Sequence, residues 1–174
     1  MTQTTPQTQM LTQTTPLTQV TPLKFSAHRT VRFSDCDPAG IVFFPQYLVM
    51  LNGVVEQWFD EGLQVPYAAL IGARRLGLPT VRLELDFTAV SRHGDALEWQ
   101  LQVNKLGHSS LTLMHQCCGE GELRLRARQV LVCTSLLTHK PQALPEDVRA
   151  AIARLIPLQA AGAPITPGLA ERRP

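Results

Sequence analysis

The chain has 174 residues, 44% of them hydrophobic, with 16 basic and 14 acidic side chains for a formal charge of +2. That length supports one domain with tails. The small, scattered charge argues against a dedicated nucleic-acid binder, and no apolar run reaches the ~18 residues of a transmembrane helix.

Residues 1–22 contain nine Thr, five Gln and three Pro, and TQTTPQTQ nearly repeats as TQTTPLTQ ten positions on. The first charged side chain is Lys24. Without a basic n-region or an apolar h-region, the stretch does not read as a signal peptide. Its composition predicts a disordered tail. The Ala-, Gly- and Pro-rich stretch 159–174 reads as a second, loose tail, which leaves a domain over 23–158. Cys36, Cys117, Cys118 and Cys133 show no zinc-ligand spacing. They are expected to be free thiols of a cytoplasmic protein.

In chain order, Phe25–Phe33 is predicted as a first strand, with Val31 and Phe33 on one face. A long helix follows from Pro45, suited to a first helical position. Its apolar stripe is Tyr47, Leu48, Leu51, Val54, Val55, Trp58 and Phe59, and its stop is Glu61-Gly62. Asn52, Glu56 and Asp60 share the opposite stripe. Apolar residues at Val81, Leu83, Leu85, Phe87 and Ala89 alternate with polar ones, as do Leu97, Trp99, Leu101 and Val103. The link Ser91–Asp95 reads as a turn joining these two strands in a hairpin. Ser109–Cys118 and Glu122–Leu137 are further strands, the second carrying Arg124, Arg126 and Arg128 on one face. Pro145–Ile156 is a short amphipathic helix with acidic residues in its first turn. The whole predicts an α+β fold, a curved antiparallel sheet wrapped around one long helix.

The chemistry-bearing segment is Asp35-Cys36-Asp37-Pro38-Ala39-Gly40-Ile41-Val42-Phe43-Phe44-Pro45-Gln46-Tyr47. It is an acidic loop running into a helix N-terminus, where free N–H groups carry partial positive charge. Such a terminus polarises a carbonyl oxygen as negative charge develops on it. A carboxylate in the preceding loop can attack the carbonyl carbon or activate water. Pro38 and Gly40 permit the tight turn that aims it.

DCDPAGIVFFPQY closely resembles the active-site loop of the 4-hydroxybenzoyl-CoA thioesterase family, which has the hot-dog fold. The resemblance extends over most of the domain, from Phe25 to about Leu155. It implies hydrolysis of an acyl-CoA thioester to free acid and CoA. It also implies a homodimer or homotetramer, no metal and no cofactor, CoA being part of the substrate. Asp37 then matches the catalytic carboxylate, and the Phe44 N–H matches the group that polarises the thioester carbonyl. Asp35 matches a structural position. Asp37 as nucleophile and Asp37 as general base both remain open.

The acyl pocket would be lined by Tyr47, Leu48 and Asn52 together with residues from a partner subunit. Asn52 stands where hydroxybenzoyl-specific members carry an acid, so benzoyl, another aryl group or a short to medium aliphatic acyl group is expected. Glu56, one turn on, is a reserve carboxylate, with a solvated helix face as its ordinary alternative. Near Gly107, Lys105, His108, Ser109 and Ser110 are candidates for the CoA phosphates and pantetheine, or simply turn residues. The alternative from another class is a catalytically weak acyl-CoA or acyl-carrier binding protein. No nucleic-acid or membrane partner is expected.

Overall fold

Period-two alternation of apolar side chains produces a five-stranded antiparallel sheet in the computed structural model of the chain, which describes residues 24–156. The predicted tails 1–22 and 159–174 lie outside the described residues, as do the domain edges at 23 and 158. The strands are β1 (Phe25–Thr30), β2 (Leu76–Gly77), β3 (Thr80–Phe87), β4 (Ala96–Leu106), β5 (Ser110–Gly119), β6 (Glu122–Val132) and β7 (Thr134–Ser135). The large sheet runs β1-β4-β5-β6-β3, and β2 pairs with β7 separately.

The helix α1 (Phe44–Gln57) passes into a π-helical turn over Trp58–Gly62, so the predicted stop holds and the last turn is widened. Phe44, one residue before Pro45, opens the helix. Tyr47, Met50, Leu51, Val54, Val55, Trp58 and Phe59 are buried, while Asn52, Glu56 and Asp60 are exposed. The buried stripe packs in one core with Leu97, Trp99, Leu101, Leu111, Leu113, Leu125 and Leu131 from the sheet. A second helix, α2 (Tyr67–Ile71), was not legible in the sequence, and α3 (Glu146–Leu155) matches the predicted amphipathic segment. No helix among the described residues is long and apolar enough to cross a membrane.

Two expectations are corrected here. First, β3 and β4 do not form a hairpin. β3 pairs only with β6, whereas β4 lies between β1 and β5. Residues 88–95 therefore cross from one edge of the sheet to the other side of its centre. Thr88 and Ala89 donate their N–H groups to Arg124 O (2.9 and 3.4 Å), and the crossover ends in a turn with Asp95 N–H on Arg92 O (3.0 Å). That turn abuts the end of β1, where Val31 N–H reaches Asp95 O (2.9 Å). Leu97, Trp99 and Leu101 are at most 1% exposed, whereas Val81 and Phe87 are 59% and 48% exposed. Burial thus sends β4 to the interior and β3 to the edge, although both alternate equally well.

Second, β1 stops at Thr30, because Asp35 closes a tight turn by taking the Arg32 N–H (2.7 Å). Phe33 sits in that turn, 83% exposed, instead of on the core face of a strand.

Candidate active site

The acidic loop is a stack of short backbone turns. Cys36 bridges to Val42, and Ile41 bridges to Arg92 on the crossover. Asp37 N–H donates to Ile41 O (2.9 Å), Gly40 N–H donates to Asp37 O (2.9 Å), and Phe43 N–H donates to Asp35 O (2.9 Å). Gly40 sits at φ +76°, in the left-handed region that glycine occupies without a Cβ penalty.

The two acids divide the work. Asp35 is tied by both ends, its Oδ2 taking the Arg32 N–H and its carbonyl taking Phe43, so it shapes the loop. Asp37 uses one oxygen locally, Oδ1 accepting the Ala39 N–H at 2.8 Å, and is half-buried. Its second oxygen has no protein donor among the described residues. The Phe44 N–H, at the first position of α1, finds no backbone carbonyl there, and the Phe44 ring is 58% exposed. A half-buried carboxylate with a spare oxygen and a helix start with a spare donor therefore belong to one stack of backbone turns.

The remaining candidates separate. Leu48 is half-buried and Asn52 exposed on α1, on the outward side together with Glu56. Tyr47 is buried at 4% exposure, its ring packed at a tilt of 57° against Phe87 (centroids 5.6 Å) and its hydroxyl donating to Ser91 Oγ (2.8 Å). Burial raises the Tyr47 pKa, partly offset by the Ser91 hydrogen bond. In a single chain Tyr47 thus serves as an internal strut. Lys105, His108, Ser109 and Ser110 sit at the far end of β4 and the start of β5, roughly 30 Å along the strand from the loop. The protein does not bring these two groups together within one chain.

The β4–β5 turn is held from behind. Gly107 O accepts from Arg149 Nη1 (2.6 Å), His108 O from Leu144 N–H (3.0 Å) and Ser109 O from Cys133 N–H (2.7 Å). Three consecutive carbonyls are engaged, and among the described residues no backbone carbonyl accepts the N–H of His108 or Ser109. Sequence reasoning missed Arg149, because only the tertiary fold brings α3 to this turn. It also missed Ser91, which looked like an ordinary turn residue.

The three arginines of β6 do not share a face. The β5–β6 register shifts between Cys117 and Cys118 and displaces Arg124. Its side chain is only 11% exposed and lies beside Gly119 and Leu97, where a Cβ on Gly119 would meet Arg124 Nε at 3.0 Å. Arg124 Nη1 pairs with Glu122 (2.5 Å). Arg126 and Arg128 remain on the outer face, with Arg128 3.7 Å from Glu84. All four cysteines are unpaired, Cys117 and Cys133 buried, and burial pushes the Cys117 thiol up to about 12.

Against known proteins, the family model of the thioesterase-like superfamily matches residues 31–152. The 1,4-dihydroxy-2-naphthoyl-CoA hydrolase of Synechocystis sp. (strain ATCC 27184 / PCC 6803 / Kazusa) is 28% identical over 138 residues, covering 75% of this chain and 96% of that protein. The 4-hydroxybenzoyl-CoA thioesterase of Pseudomonas sp. (strain CBS-3) is 27% identical over 108 residues, 59% of this chain and 77% of that protein. Among solved structures, a gentisyl-coenzyme A thioesterase superposes with a TM-score of 0.68 at 26% identity, covering 74% of this chain and 99% of that one.

Proposed function

The chain belongs to the thioesterase-like superfamily, and from that premise we propose that it hydrolyses the thioester of an aryl- or acyl-CoA to the free acid and CoA. The observation that carries the reading is the joint geometry of Asp37 and the Phe44 N–H on one turn assembly. The thioester carbonyl oxygen would accept the Phe44 N–H, where the helix dipole favours developing negative charge. The spare oxygen of Asp37 would attack the carbonyl carbon, or take a proton from an attacking water. Either course ends with water split between the acid and the thiol of CoA. The proposed chemistry uses only protein groups and water, with no further cofactor.

Relatives that act on hydroxylated naphthoyl-, benzoyl- and gentisyl-CoA support an aromatic acyl group. Asn52 is exposed on the outward face of α1 and brings no charge to a ring hydroxyl. We expect Asn52→Asp to move the preference toward 4-hydroxybenzoyl-CoA over benzoyl-CoA by roughly tenfold, the scale of one charged hydrogen bond. Equal ratios in the two proteins would remove Asn52 from the acyl pocket.

A second copy is part of the proposal. The loop and the β4–β5 turn are too far apart in one chain to meet one substrate. Edge strand β3 carries exposed Val81 and Phe87 next to free strand donors and acceptors, and α1, which Phe87 meets at Tyr47, exposes Phe44 and Val49. A homodimer or homotetramer would cover this surface and bring the partner's turn to the loop. There Lys105, His108, Ser109 and Ser110 would meet the CoA phosphates on a turn held by Arg149. Arg149→Ala is expected to raise KM for the best acyl-CoA about fivefold or more with kcat kept within twofold. An unchanged KM would separate the turn from CoA binding. The four free thiols suit a reducing cytoplasm.

The test of the whole reading is release of free thiol from 4-hydroxybenzoyl-, benzoyl-, 1,4-dihydroxy-2-naphthoyl- and hexanoyl-CoA. Turnover of at least one is expected. Binding of these esters without cleavage would favour a carrier role over hydrolysis.

A further inference from the structure

Ser91 is the least exposed polar residue beside the loop, at 0%, and touches both halves of the proposed machinery. Its carbonyl accepts the Val42 N–H at 2.9 Å, and the neighbouring Arg92 bridges to Ile41, so the crossover grips the far arm of the Asp37 loop. Its Oγ accepts the Tyr47 hydroxyl at 2.8 Å, one turn into the helix that Phe44 opens. The crossover is itself fastened on either side. Thr88 donates both its N–H (2.9 Å, to Arg124 O) and its Oγ1 (2.6 Å, to Leu123 O) to the β6 bulge. Arg92 N–H donates to Asp95 Oδ2 (2.9 Å).

We propose that Ser91 is a positioning residue that locks the Asp37 loop to the start of α1. This rests on the hydrolase reading. Attack on a carbonyl polarised at Phe44 requires the carboxylate and the helix terminus to keep one separation. A shift near 1 Å in such an arrangement costs on the order of 10²-fold in rate. The main-chain bonds within the loop fix the loop's own shape, but they do not fix the angle of α1 against it. The Tyr47–Ser91 bond supplies that link between two buried side chains, where a lone hydroxyl is disfavoured. Ser91 has no exposed surface with which to touch a ligand, so its effect reaches the substrate only through geometry.

Thiol release is to be measured for wild type, Ser91→Ala, Tyr47→Phe and the double variant, on whichever CoA ester of the four-member panel wild type turns over best. Amide hydrogen exchange is followed on the same proteins. The expected result is a fall in kcat of about tenfold in each single variant, with KM within twofold, and no further fall in the double variant. The Val42 amide should exchange at least tenfold faster in Ser91→Ala and Tyr47→Phe while the Leu113 amide in β5 is unchanged. A kcat that stays at the wild-type value, losses that multiply in the double variant, or faster exchange spread equally over Val42 and Leu113 would overturn the proposal. If wild type cleaves none of the esters, the hydrolase reading fails by itself. Exchange then decides the link alone, upheld by local loss of protection at Val42 and overturned by its retention.

Discussion

Replacing Asp37 by Asn should lower kcat on the best acyl-CoA by roughly 10²-fold or more while leaving the melting temperature almost unchanged. The rate side follows from the role proposed. An amide can neither form the acyl bond nor accept a proton from water, and a general base or nucleophile contributes on the order of 10² to 10⁴ in rate. The stability side follows from the hydrogen bonds. Asp37 holds its turn with Oδ1, which takes the Ala39 N–H at 2.8 Å, and an Asn side chain offers the same oxygen. The group exchanged is the second oxygen, which has no protein partner among the described residues. Asp37→Ala removes both oxygens, so it should lose activity and also about 1 kcal/mol of stability through loss of the turn hydrogen bond from the Ala39 N–H. Wild-type turnover by Asp37→Asn would show that the carboxylate is a turn-former only. A variant that binds the ester with wild-type affinity yet does not release thiol is the outcome that supports catalysis.

The contrast between Asp35 and Asp37 shows what the sequence could carry. Both acids fit a turn, and both do build turns. The resemblance of the thirteen-residue loop implies different roles for them; in the structure Asp35 is bonded at both ends and Asp37 Oδ2 has no protein donor among the described residues. The alternating strands and the stripe on α1 were legible because each depends on local periodicity, which burial then enforces.

The hairpin expectation failed for a physical reason. Periodicity says which face of a strand is apolar but not which strand lies beside it. β3 and β4 alternate equally well, and only the pairing of β3 with β6 and of β4 with β1 and β5 makes residues 88–95 a crossover, fastened by the bonds from Thr88 and Ala89 to Arg124. Arg124 escaped in the same manner. A register shift opposite Cys117 and Cys118 moved one arginine out of an apparently regular row of three. The two-residue strands β2 and β7 are too short for any period to show.

Acid is expected to destabilise the protein through His115 more than through any other histidine. This residue of β5 is 1% exposed, its Nε2–H donating to Gln129 Oε1 (3.0 Å). Gln129 in turn donates to Thr80 Oγ1 (2.8 Å), and His115 Nδ1 has no partner among the described residues. No carboxylate among the described residues lies within ion-pair distance of the ring, so nothing there welcomes a second proton. Burial pushes the His115 pKa down from 6.5 to about 4, against a smaller upward effect of the Gln129 hydrogen bond. In the unfolded chain the same ring takes its proton near 6.5. The folded state therefore keeps its full stability above pH 6.5 and loses it as pH falls toward 4, because only the unfolded state gains the proton over that window. A difference of this size is worth about 3 kcal/mol across the window, a large share of the stability of a typical domain. Urea unfolding of wild type and His115→Leu at fixed protein concentration, at pH 7.5, 6, 5 and 4.5, isolates the effect. His115→Leu should be the less stable protein at pH 7.5, since Gln129 Oε1 loses its donor. The gap should narrow by about 2–3 kcal/mol by pH 4.5. A gap that stays constant over the series would mean that the buried ring takes up its proton without penalty, contrary to its burial and its single neutral partner.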